Sequence, residues 1–414
     1  EDVIPLPGVP ADWVMGSDRR TIFVSLPVYS AVAVIDGAGF RMTGLIELPK
    51  GSMPTTLLAR PDGSLAVYLS TDGTVVIAHP DGSGLSDAVT VGPAPVALSN
   101  GSAGRVFAVS ASGQVTAFDG RTDRSAVLGM LPPGEPAIAV SVREDSVYAT
   151  TSTAEAIHVY RGGTLAEVAA IPVEPGVFTL AKVPGSPRLL ALNERTDEVR
   201  LIDTESNLSL GETPVADAPV EVAFTEDYAY VRGLEGDHFT ILERAELDAG
   251  RLTPLNVQSA AGPVQRREAL ARARMVAPYG HGALVANEDE AQAYYYMEGM
   301  NTPMGTVKTY GTGVQGIMTV EQGFVEARPG VYETDAVLPF AGTYDVPIAF
   351  HGDRVVICLA VSAEPGAEVA EAAAEAQLVI AAESLPDPVA KTPQTFVFTV
   401  ADVSGQPVAG LTDF

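Results

Sequence analysis

Short apolar runs alternating at period two recur along the first three-quarters of the chain, and polar turns of Asp, Gly, Ser or Pro separate them. Successive side chains of a strand point to opposite faces, so this alternation predicts short strands rather than helices. Seven paired segments stand out, opening at Thr21, Ser64, Arg105, Ser146, Arg188, Tyr228 and Ala283. They close at Asp36, His79, Asp119, Arg161, Asp203, Glu243 and Met297, spaced by about 43, 40, 42, 42, 40 and 54 residues. A further apolar strand precedes each pair, as in Pro54 to Ala59 and Pro219 to Phe224, and another follows it, as in Phe40 to Leu48 and Leu165 to Ile171. Four antiparallel strands in a period of roughly 40 residues form one propeller blade. The expected fold is therefore all-β: a seven-bladed β-propeller over residues 1–311. Stacked helical repeats would need a 3.6-residue period, and the enrichment in Val, Ile, Thr and Tyr opposes them.

The stretch from Pro54 to His79, with Asp62-Gly63 at its turn, resembles the repeat of the YVTN-type propeller family. That family includes propellers similar to the cytochrome d1 domain. The resemblance covers about residues 10 to 310 and implies the fold, but it brings no haem, since no haem-attachment motif is present. Trp13 is the sole tryptophan, which excludes a cofactor built from two.

Beyond Gly316 the pattern changes to Ile317–Val320, Gly330–Thr334, Gly342–Val346 and Val355–Val361, with Gly and Pro between the runs. Residues 312–361 are read as an immunoglobulin-like β-sandwich tail. Residues 362–392, rich in Ala, Glu and Pro, are read as a linker. Residues 393–414 then open the hairpin of a sandwich that a partner, another copy or further chain would complete, because a lone hairpin is marginal in water.

Composition narrows the possible partners. The chain of 414 residues carries a formal charge of -27, with 25 basic and 52 acidic side chains. Nucleic acid, which needs clustered Lys and Arg, is excluded as a partner class, whereas cationic proteins, cations and neutral ligands fit. The same excess of acid also serves plain solvation. The single cysteine, Cys358, allows no intrachain disulfide and no cysteine-rich metal site, and it reads either as a small buried hydrophobe or as a thiolate. No apolar run reaches the roughly 18 residues of a membrane helix, so no transmembrane segment is expected. The expected location is periplasmic or extracellular.

Two breaks in the repeat carry the candidate chemistry, both at blade seven. Within the long last step, Gln265 to Arg274 is a basic stretch whose Arg266, Arg267, Arg272 and Arg274 suit an acidic partner or the protein's own acidic surface. After the third strand, Met297, Met300 and Met304 fall within a Gly- and Pro-containing loop that follows three tyrosines. Thioethers suit Cu(I) and also fill apolar gaps. In an up-and-down blade the first and third turns share one face, so His281 is expected beside these methionines as a further copper ligand. His79, His158 and His238 are read as structural.

No Gly-x-Ser-x-Gly elbow, phosphate loop or His-Glu-x-x-His motif occurs, and no catalytic or cofactor-binding residue is assigned. The expected function is that of an exported, non-enzymatic binding or scaffold protein. Its expected partner is a protein, such as a cytochrome or other redox protein, or another copy of the chain. A Cu(I)-binding accessory role and a propeller enzyme with a central-channel site are the alternatives.

Overall fold

The computed structural model describes residues 4–37, 39–80, 84–119, 124–143, 145–236, 238–258, 275–278, 281–287, 290–298, 300–308, 314, 316–320, 325–328, 331–333, 342–350, 355–363, 378–384 and 397–402. Its third strands are Ala31–Asp36, Thr74–His79, Gln114–Asp119, Ala156–Arg161, Glu198–Asp203, His238–Glu243 and Gln292–Met297. All seven close where the repeat in the sequence does. Each lies in an antiparallel sheet whose first four strands follow chain order; the second sheet also has its outer strand split into two pieces. Blade five is representative: Val177–Lys182, Arg188–Asn193, Glu198–Asp203 and Leu208–Pro214 pair in succession, innermost first. The first strands of successive sheets adjoin one another, which sets the sheets radially around a centre.

Burial of both faces of each sheet follows from the period of two. In blade one, Phe23 and Val32 face blade two and join Leu57, Leu65, Val67 and Val76 in one cluster. Their sequence neighbours Val24 and Ala33 point the other way. The same alternation gives one shared apolar cluster for each of the next interfaces, ending with Tyr230, Phe239 and Ile241 of blade six against Val285, Tyr294 and Tyr296 of blade seven. Burying a large apolar side chain stabilises by about 1.5–3 kcal/mol, so these six interfaces supply most of the cohesion.

The seventh interface is built differently. Among the described residues it divides into a blade-one cluster, Val24, Leu26, Ala33 and Ile35, and a blade-seven cluster, Met275, Ala286 and Ala293. Chain from outside the blades fills the seam. Ile4 and Leu6 pack on the first cluster, while Val314 and Ile317 pack on the second. Residues 316–320, expected from the sequence to open the tail, instead run unpaired along the seam. The Thr319 hydroxyl donates to the Pro278 carbonyl of blade seven at 2.6 Å. A Cβ on Gly37 of blade one would come within 2.8 Å of Val320. A Cβ on Gly316 would lie 1.9 Å from the Trp13 ring, so only glycine lets the segment pass.

The chain divides into units of residues 1–334 and 335–414. The first also holds the hairpin Val325–Arg328 with Val331–Glu333. In the second, Gly342–Phe350 pairs with Val355–Ala363, and Leu378–Ser384 pairs with Val397–Asp402. Leu378–Ser384 falls inside the stretch read from sequence as a linker; its Leu-Val-Ile core gives it a partner strand across the Pro-containing stretch that follows. No described helix is long and apolar enough to cross a membrane.

Gly316→Ala should push Trp13 out of the seam and cost about 1–3 kcal/mol in chemical denaturation, the usual range for overpacking. Gly305→Ala, at an open position of blade seven, should stay within about 0.5 kcal/mol.

Candidate binding face

Because every blade runs up and down, its first and third turns lie on one face of the ring, and its second turn and the link to the next blade lie on the other. The two faces use charge differently. On the first, arginines clip neighbouring blades together. Arg60, only 2% exposed, donates to Ser64 Oγ at 2.6 Å and to the Gly104 carbonyl of the next blade at 2.9 Å. It also pairs with Asp62 at 3.1 Å. Arg105 donates to the Gly162 carbonyl of blade four. Arg188 holds Asp203 at 2.7 Å and reaches the Asp248 carbonyl of blade six at 3.1 Å, and Arg244 returns to the Pro184 carbonyl of blade five at 2.6 Å. A buried guanidinium costs desolvation unless its donors find acceptors in a fixed fork, and here backbone carbonyls of neighbouring blades supply most of them.

On the second face, among the described residues, Arg200 of blade five makes such a contact, to the Pro172 carbonyl of blade four at 2.9 Å. The described connections of this face carry Asp72, Glu135, Glu155, Glu174, Glu194, Asp197, Asp217, Glu235 and Glu290 against Lys50 and Arg195. On the clipped face, Arg19, Arg20, Arg60, Arg124, Arg143, Arg244 and Arg251 stand against Asp18, Asp62, Asp145, Glu205, Glu226, Asp227, Glu246, Asp248 and Glu298. Among the described residues acid therefore outweighs base on both faces, more strongly on the second. Six of the acidic residues, Glu155, Glu174, Glu194, Asp197, Asp217 and Glu235, follow one another along the turns of blades four to six. Like charges gathered on one surface raise the local potential and attract a cationic partner.

Between blades four and five this face opens into a cavity of about 110 Å³ lined by Val173, Glu174, Val177, Ala191, Asn193, Thr196, Glu198, Arg200 and Glu212. Asn193 is 7% exposed and fixes the rim. Its amide donates to the Glu174 carbonyl at 2.9 Å, and its Oδ1 accepts from the backbone N–H groups of Arg195 at 2.9 Å and Thr196 at 3.2 Å. Arg200 is held by Glu212 and by the Pro172 carbonyl.

The blade-seven loop lies on the clipped face. The register Gly282 opposite Met297 sets His281 beside Glu298, whose N–H donates to the His281 carbonyl at 2.8 Å. Met300 N–H closes a turn onto Met297 at 3.0 Å, and Met304 N–H returns to Tyr295 at 2.8 Å. All three methionines are exposed, Met304 most. Beneath the loop, the Glu298 Oε1 and Tyr230 hydroxyl are buried without a hydrogen-bond partner among the described residues. Burial, and then the charge of Glu298, push the Tyr230 phenol well above its usual range. Among the described residues no three His, Cys, Asp or Glu side chains converge as metal ligands. Arg266, Arg267, Arg272 and Arg274 lie outside the described residues. His158 bonds Glu167 across its sheet at 2.9 Å, a structural role as expected.

No protein-family model matches the chain, and no curated protein matches it. Solved structures do. Apo AztD from Citrobacter koseri is 14% identical, with a TM-score of 0.55 over 75% of this chain and 88% of that one. The shared fold is the β-propeller. The dihydro-heme d1 dehydrogenase NirN in complex with DHE is 15% identical, with a TM-score of 0.54 over 73% of this chain and 68% of that one. The computationally designed Ika8 protein is 11% identical, with a TM-score of 0.58 over 77% of this chain and 94% of that one. At such identities the likeness extends to fold alone.

The acidic face was missed in the sequence because its carboxylates are separated by whole strands. They become a group only once every turn is assigned to a face.

Hydrogen bonds predict an acid-sensitive clip. Burial raises the Asp62 carboxyl, but hydrogen bonds from Ser64 and the charge of Arg60 outweigh this and hold it below the ordinary aspartate range. A carboxylate depressed in the folded state stabilises above its unfolded pKa and loses that contribution as pH falls through the folded value. Asp62→Asn should therefore cost up to about 1 kcal/mol at pH 7, given its exposure, and the deficit should close as the pH falls below the ordinary aspartate range in denaturation series.

Proposed function

We propose that this chain is an exported, non-enzymatic binding propeller of YVTN type whose acidic face holds a basic protein partner. The observation that carries this reading is the unequal charge of the two faces. Among the described residues, most blade-joining arginines stand on one side, and the turns of the other side are acidic across blades four to six. A basic redox protein such as a cytochrome is one class of partner with the complementary surface. A second copy would meet like charge on this face. The hairpins after residue 335 are read as parts of an immunoglobulin-like region that serves assembly.

A lysine-rich peptide of alternating Lys and Ala serves as a probe. Its affinity should fall steeply with salt, since exposed charges are screened within about 8 Å at physiological ionic strength. Neutralising Glu155, Asp217 and Glu235 to Gln or Asn should weaken binding roughly three- to tenfold at low salt, from about 0.2–0.5 kcal/mol per exposed charge. Neutralising Glu205, Glu226 and Asp227 on the clipped face should leave binding unchanged. Equal losses from the two triple variants would refute the reading.

A second reading, Cu(I) binding by Met297, Met300, Met304 and His281, is favoured by the register that sets His281 beside the methionine loop. Thioethers and imidazole form a ligand set that suits Cu(I). Titration with Cu(I) under a competing chelator should show one site that the triple Met→Leu variant loses while its melting temperature holds. Equal Cu(I) uptake by both proteins would end this reading.

A further inference from the structure

We infer that the cavity between blades four and five is a socket for a single lysine side chain of the partner. The inference rests on the acidic-face reading and deepens it. The cavity has the two parts that a lysine needs. Its wall of Val173, Val177 and Ala191 is apolar and suits the aliphatic stem, and its rim carries Glu174 and Glu198 for the ammonium. Long cationic side chains bury their methylenes along apolar surface while keeping the charge at a polar rim.

Two features separate this cavity from a solvated acidic patch. Arg200, the one cation in its lining, is already neutralised by Glu212, so the charge of Glu174 and Glu198 is left over. Neither of these carboxylates pairs with a cation among the described residues. The rim is also preformed. Asn193, buried beneath it, binds backbone from the blade-four link and from its own turn at once, holding the two sides of the opening at fixed separation. A socket organised before binding spends less of its interaction energy on ordering.

The socket chemistry favours lysine over arginine. The space of about 110 Å³ is narrow. A compact ammonium on a flexible stem suits this better than a guanidinium fork.

The test uses the full chain and two peptides of equal charge: the alternating Lys and Ala peptide, and its counterpart with 2,4-diaminobutyrate in place of Lys. A surface that reads only charge binds both alike. A socket that takes the stem should prefer the lysine peptide by about two- to threefold, from the methylenes it buries. The double variant Glu174→Gln/Glu198→Gln, and separately Thr196→Phe, which narrows the mouth at unchanged charge, should remove that preference. Thr196→Phe should keep the salt dependence of the wild type. Equal binding of both peptides by the wild type would overturn the socket and leave the acidic face standing. Binding of neither peptide would overturn both.

Discussion

Each blade is a sheet with two apolar faces, and only a neighbour on each side can bury them. A ring is the arrangement that provides this for every member, and it imposes a closure. Six interfaces join blades consecutive in the chain. The seventh joins the last blade to the first with no linking turn, and its two apolar clusters meet through Val314, Gly316 and Ile317 on one side and Ile4 and Leu6 on the other. Here every described blade has its own four strands, and an unpaired extended segment fills the seam.

Charge also holds the blades in register. Apolar faces can slide, whereas a guanidinium fork bound to carbonyls of the next blade cannot. Arg60, Arg105, Arg188 and Arg244 fix neighbours in this way on one face. Among the described residues of the opposite face, the turns of blades four to six carry six carboxylates, Glu155, Glu174, Glu194, Asp197, Asp217 and Glu235, against Arg195. That local excess is what suits a basic partner.

The blades were legible in the sequence because alternation at period two and a fixed repeat length are local signals. All seven third strands end at the residues that the repeat indicates. The neighbourhood of His281 and Met297 was legible too, since it follows from strand direction alone. The seam was not. Ile317 to Val320 has the composition of a strand, and only the open edge between blades seven and one decides that it packs unpaired. The cavity was hidden for a similar reason: Glu174, Asn193 and Glu212 belong to separate turns and strands, and their meeting depends on how blade five stands against blade four.

Hydrogen exchange on the complex with the lysine-rich peptide tests the central claim most directly, because it reports which face is covered. Slowed exchange confined to turns 152–155, 173–176, 194–197 and 234–236 is the predicted result. Protection concentrated instead on the clipped face, around Arg60, Asp145 and Arg244, or on the outer strands of the blades, would contradict it.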